Sequence, residues 1–105
     1  MALNIYWTDF AKIELKKIFE YYKVNTSSST ASKIAKGISK ETLILSKHPL
    51  IGQKEELLIK KGQEYRYLVY KSYKIIYWVN LDKNRIEIND VFDTRQNPIK
   101  LIRQK

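Results

Sequence analysis

The hydrophobic pattern of this chain changes period once, near Gly52, and that change limits what the chain can fold into. Before Gly52 the apolar residues recur with the spacing of helices; after it they recur at every second position. A short strand comes first, because Leu3, Ile5 and Trp7 alternate within a run of strand formers. Thr8 is a good N-cap, and Asp9 suits the positive end of a helix. Ala11, Leu15, Ile18, Phe19 and Tyr22 then share one helical face. The stretch NTSSST (Asn25 to Thr30) breaks the pattern and offers caps for a second helix. Ala31, Ile34, Ala35, Ile38, Thr42 and Leu45 form its stripe, and HPLIG (His48 to Gly52) ends it, since the residue before Pro49 avoids helical torsions. Gly37 inside that helix either costs about 1 kcal/mol against alanine or lets the two helices approach closely.

Beyond Gly52, Glu64 to Lys71, Tyr73 to Asn80 and Arg85 to Asp90 each alternate as strands. The links between them are short, so neighbours are antiparallel and the three make a meander. ELLIKKG (Glu56 to Gly62) offers one more short strand, and NPIKLIRQ (Asn97 to Gln104) a final helical turn with Pro98 at its first position. The expected fold is α+β: a short N-terminal strand, a helical hairpin packed on an antiparallel meander of three to four strands, and a short C-terminal helix. All of residues 1–105 are expected to form a single domain, since the chain is too short for two cores.

Composition narrows the function. There is no cysteine and one histidine, His48, which argues against a disulfide scaffold and a zinc site. No nucleotide-binding, zinc-protease or serine-hydrolase signature is present, so no metal and no cofactor are expected. The N-terminus lacks the basic and apolar regions of a signal peptide, and no apolar run approaches the roughly 20 residues of a membrane span. A cytoplasmic protein without membrane contact is expected. Twenty Lys and Arg stand against eleven Asp and Glu, a net charge of +9. Such a surface attracts phosphate backbones or acidic protein surfaces, or is simply a solvated lysine surface.

Two sets of residues could carry chemistry. Asp90 and Asp93, three apart, read more readily as turn and capping residues than as an acid–base pair. The cations Arg66 and Lys74 lie on neighbouring strands, and Arg95 leaves the end of the last strand within VFDTRQNP (Val91 to Pro98). Cations can stabilise the charge that develops in phosphodiester cleavage. If the three share one face, they form a compact patch with Tyr70, Tyr73 and Tyr77, a mixture that suits RNA, whose bases stack on aromatic rings. Composition alone favours the plainer reading: tyrosines half-buried in a sheet and solvated cations.

The order of elements, with WTDFAKIELKKIFEYY, HPLIG, EYRYLVYKSYKIIYWV, IEINDVFDTR and RQNP, resembles the RelE/ParE superfamily of type II toxin–antitoxin toxins over Ile5 to Leu101. The long helical hairpin and the central strand pair look closer to the ParE-like, plasmid-stabilisation branch. The resemblance implies a growth-inhibiting toxin, a cognate antitoxin that is acidic and partly disordered, and a toxin–antitoxin hetero-oligomer. It implies DNA gyrase as target in the ParE-like branch, and ribosome-dependent cleavage of mRNA in the RelE-like branch. Arg66, Lys74 and Arg95 fall where RelE-like toxins carry basic residues, and with Tyr77 they are the expected target- or nucleic-acid-binding residues. They are catalytic only if the chain is an RNase. Two departures weigh against cleavage: no His or Tyr follows Arg95, and Leu68 stands where a further basic residue is expected. Outside the toxins, a non-toxic basic RNA-binding module fits the same residues. Within the site, Asp93 is expected to hold Arg95 by a charge-assisted hydrogen bond.

Overall fold

A computed structural model of the chain describes residues 2–56 and 63–95. The first strand, β1 (Asn4–Trp7), leads through Thr8 into α1 (Asp9–Asn25). The Thr8 hydroxyl accepts from the Ala11 N–H at 3.2 Å and donates to the Ile88 carbonyl at 3.0 Å, so one side chain caps the helix and ties it to the sheet. The second helix, α2 (Ser28–Glu41), starts at the Ser27 cap, whose hydroxyl accepts from the Thr30 N–H. It is shorter than the hydrophobic stripe implied. Thr42 bonds back to the Ser39 carbonyl, and residues Thr42–Ser46 tighten into a 3-10 turn.

The strands β2 (Gln53–Lys54), β3 (Arg66–Tyr70), β4 (Tyr73–Asn80) and β5 (Arg85–Asp93) follow. The sheet order is β1-β5-β4-β3-β2. The expected meander is present as β3, β4 and β5, and β2 adds to its edge antiparallel. The sheet is mixed, however, because β1 lies parallel to β5, with Ile5 opposite Ile86. Most of ELLIKKG and all of NPIKLIRQ fall outside the described residues, so the extra strand and the final helical turn expected there do too.

The last strand departs from simple alternation. Ile76 of β4 faces Asp90 while Tyr77 faces Ile88, so Asn89 is an extra residue in β5. Without this bulge Asp90 and Phe92 would point at the helices. With it, Ile86 and Ile88, then Val91 and Asp93, do so. The main core lies on the helix side: Ala11, Ile34, Ile38, Leu45, Ile75, Tyr77, Ile86, Ile88 and Val91 are buried together. The other face carries a smaller cluster of Tyr65, Ile76 and Phe92. At Gly37 the nearest neighbour is a strand residue. A Cβ there would collide with the Tyr70 hydroxyl, so the glycine makes room for a β3 tyrosine against α2.

Candidate functional site

The three cations and Tyr77 come from β3, β4 and the turn after β5, but the fold does not gather them. In the β3–β4 ladder Arg66 is opposite Tyr77, and Lys74 is opposite Val69. Lys74 and Tyr77 are three residues apart on one regular strand, so they occupy opposite faces. Arg66 therefore shares the helix side with Tyr77, and Lys74 points to the other face. The condition for a single patch on the sheet is not met.

On the helix side, Tyr77 is fully buried. Its hydroxyl donates to the Pro49 carbonyl at 2.8 Å and accepts from the Gly52 N–H at 2.9 Å. Burial pushes its phenol pKa up, against the smaller opposing pull of the Gly52 hydrogen bond and Arg66. Arg66 grips the same loop: its Nη1 donates to the Gly52 carbonyl at 2.8 Å and the Leu50 carbonyl at 3.3 Å, while Nη2 pairs with Glu64. Both residues fasten HPLIG to the sheet. A Cβ on Gly52 would sit 2.6 Å from the Tyr77 hydroxyl and 2.7 Å from the Tyr67 carbonyl, so the loop closes only around a glycine.

On the opposite face, the Lys74 ammonium pairs with the buried Glu55 carboxylate at 2.9 Å and lies 4.1 Å from the centre of the Tyr67 ring. Its charge is neutralised within the protein.

Arg95 is different. Asp93 faces Tyr73 in the β4–β5 ladder and so lies on the helix side. Its carboxylate accepts the Arg95 backbone N–H at 2.9 Å, Nε at 3.1 Å and Nη2 at 2.7 Å, the charge-assisted contact expected for this pair. That hydrogen bonding holds the Asp93 carboxyl below its ordinary pKa. The chain also turns here through Thr94, whose N–H and hydroxyl both bond the Ser72 carbonyl. Arg95 thus serves a turn and still keeps 72% of its side chain exposed.

Arg95 rims a cleft of about 370 Å³ between α1 and the end of β5, where Glu14, Lys17, Ile18, Tyr22 and Tyr73 join it. The Tyr73 hydroxyl donates to that of Tyr22 at 3.3 Å, and burial with this contact pushes the Tyr73 phenol well up. Tyr21 stands edge-on to Tyr22 with ring centres 5.3 Å apart. Of the expected site residues, Arg95 alone opens onto this cleft; Tyr73, noted as a nearby aromatic, joins it. The α1 residues were missed because Tyr22 fits the apolar stripe of its helix. The signal was present in Glu14, Lys17 and Tyr21, which recur at helical spacing beside that stripe.

The fold is α+β, a helical hairpin laid on a mixed five-stranded sheet whose last strand leads into the Asp93–Arg95 turn. The sequence profile described as ParE toxin of type II toxin-antitoxin system, parDE, matches residues 5–98. The chain belongs to this family. Among solved structures it is similar to a chain described as the chromosomal ParDE TA system from P. aeruginosa. The TM-score is 0.73 at 19% identity, covering 88% of this chain and 96% of that one, and the likeness carries the fold. No curated protein matches the sequence. Among the described residues no helix is long and apolar enough to cross a membrane.

Proposed function

We propose that this chain is a growth-inhibiting toxin that acts by binding a protein target, DNA gyrase, and that a cognate acidic antitoxin neutralises it. The observation that carries the binding mode is the separate engagement of the three cations. Arg66 holds two loop carbonyls and Glu64, and Lys74 holds a buried carboxylate on the opposite face. Only Arg95 of the three extends mostly into solvent. A ribonuclease of the RelE-like kind needs several cations converging on one phosphate, together with a general acid or base. Family membership supports the toxin role, and the net charge of +9 suits an acidic antitoxin segment that folds as it binds. The pair then forms a toxin–antitoxin hetero-oligomer in the cytoplasm.

Induced expression of the intact chain is expected to arrest bacterial growth, and co-expression of its antitoxin to restore it. Purified chain added to gyrase and plasmid DNA is expected to block supercoiling and to accumulate cleaved DNA. Mapping of mRNA ends in the same cells is the counter-test. In-frame cuts confined to translated messages, with gyrase unaffected, would replace this reading with mRNA cleavage and return Arg66, Lys74 and Arg95 to catalytic candidates.

A further inference from the structure

The Asp93–Arg95 pair uses the arginine along one edge. A guanidinium presents two donor edges, a side edge of Nε and Nη2 and an end edge of Nη1 and Nη2. Asp93 takes the side edge: its carboxylate accepts from Nε at 3.1 Å and from Nη2 at 2.7 Å. The same carboxylate accepts the backbone N–H of residue 95 at 2.9 Å, and the Ser72 hydroxyl hydrogen-bonds it too. Nη1 makes no hydrogen bond among the described residues.

The two partners are fixed unequally. Asp93 belongs to β5, where it lies opposite Tyr73 of β4, and its side chain is 15% exposed against 72% for Arg95. The sheet holds the aspartate, and the aspartate holds the arginine. A long side chain pinned in this way has less freedom left to lose when a second group binds it. Its end edge still offers a fork that fits the two oxygens of a carboxylate.

The cleft around the arginine limits what that second group is. Glu14 and Lys17 pair at 3.3 Å on the α1 wall, as Asp93 and Arg95 do on the other, so two carboxylates and two cations line it. A run of nucleic-acid phosphates is drawn to cations that lack local carboxylates. Here each cation already faces one. Ile18 and the exposed ring of Tyr21 add apolar surface beside the charges. A single carboxylate carried among apolar atoms, as on a protein side chain, matches both features.

We propose that Asp93 is a positioning residue: it holds Arg95 by the side edge so that the Nη1–Nη2 edge takes a carboxylate of a protein partner at the mouth of this cleft. The proposal rests on the toxin reading above and gives Asp93 a part in recognition beyond its turn. The carboxylate belongs to gyrase or to the antitoxin, and the arms of the test tell the two apart.

The test is a double-mutant cycle in the full chain: wild type, Asp93→Asn, Arg95→Ala and the two combined. Asparagine keeps a side-chain oxygen for the backbone N–H of residue 95 but loses the charge that clamps the guanidinium. Melting temperature is measured for each, with affinity for purified gyrase and, separately, for purified antitoxin. Arg95→Ala is expected to weaken binding to at least one of the two by about thirty-fold or more. Asp93→Asn is expected to weaken the same binding about ten-fold when Arg95 is present, and to change nothing once it is alanine. The partner that shows this coupling supplies the carboxylate. An aspartate that only supports the fold would weaken binding equally in both backgrounds, and that result would overturn the proposal. Tighter binding by Asp93→Asn would overturn it as well, because the aspartate would then mask the arginine. Where Asp93→Asn does not fold, Arg95→Lys decides. A lysine ammonium has no second edge, so it is expected to recover only part of the affinity lost in Arg95→Ala, and full recovery would sink the idea. Loss of binding to a short DNA duplex in Arg95→Ala, with both proteins bound as by wild type, would replace the carboxylate with a phosphate and overturn the proposal too. Wild-type chain that binds neither protein would bring down the toxin reading and this proposal together, whereas a cycle without coupling leaves wild-type binding and that reading in place.

Discussion

Two turns on this molecule are built in opposite ways. The segment at 42–52 is fastened by Leu3, just before β1, and by β3 and β4, and shows aliphatic side chains to solvent. The turn at 93–95 is fastened by Asp93 and one carbonyl of the neighbouring hairpin, and shows an arginine. The difference separates structural residues from those left for recognition. Arg66 and Tyr77 were read as site residues from their types, yet their polar atoms are occupied holding a loop. The Arg95 guanidinium is paired with Asp93 inside its own turn, but its side chain stays mostly exposed and can still meet a partner.

The largest expected effect on stability tests the tightly held turn. Gly52→Ala forces a Cβ against a backbone carbonyl that cannot step aside, and is expected to cost about 3 kcal/mol. Denaturant melts read this directly. A loss below about 1 kcal/mol would mean that the loop has room to move and is not a rigid platform.

Arg66→Ala comes next. It removes charge-assisted hydrogen bonds to two carbonyls, and about 2 kcal/mol is expected to be lost. Toxicity should fall only in proportion to the folded fraction. Abolished toxicity at unchanged stability would assign Arg66 to the site after all and weaken the contrast between the two turns.

Much of the fold was legible because it rests on period and punctuation. Thr8 and Ser27 cap the helices as their residue types suggest, and Asn84 takes the left-handed torsion that asparagine tolerates, φ 52°. Lys71 takes the same torsion, φ 53°, in a hairpin turn where glycine or asparagine is usual, so the turn came from strand lengths and not from its own residues. The parallel pairing of β1 with β5 joins residues some eighty positions apart, and no local pattern records it. The Asn89 bulge hid the facing of Val91 and Asp93, because one inserted residue reverses every later side chain. The site suffered from the same limit. Residue types nominated Arg66, Lys74, Tyr77 and Arg95 alike, and only the partners each finds across the sheet tell them apart.

A smaller effect is expected from pH. The folded pKa of Asp93 lies below its unfolded value, as does that of Glu87, where hydrogen bonds from Arg85, Asn80 and Trp78 together outweigh burial. Such groups add stability above the unfolded value of about 4 and lose it as pH falls through the lower folded value. Tyr73 and Tyr77 behave in the opposite sense. Their folded values are raised, so their contribution is whole below about pH 10 and is lost as pH rises further. Melting temperature against pH should therefore fall at both ends. Tyr77→Phe should flatten the alkaline limb, and Asp93→Asn the acid one. An alkaline limb unchanged in Tyr77→Phe would mean that the buried phenol is not what opposes ionisation.

The smallest effect on stability is expected at Arg95, and this makes it the sharpest test of the contrast. Its side chain is mostly in solvent and its contacts are local, so Arg95→Ala should leave the melting temperature unchanged. Asp93 would still accept the backbone N–H of residue 95, and the turn would hold. If the arginine meets a carboxylate or phosphate of the target, toxicity should nonetheless collapse, because a desolvated arginine contact is often a hot spot. Lysine in its place would keep the charge but lose the planar fork, and should recover only part of the activity. Plating efficiency and melting curves for wild type, Arg95→Ala and Arg95→Lys decide the matter together. Undiminished toxicity in a folded Arg95→Ala chain would remove the exposed guanidinium from the recognition surface and return residues 93–95 to the status of a turn.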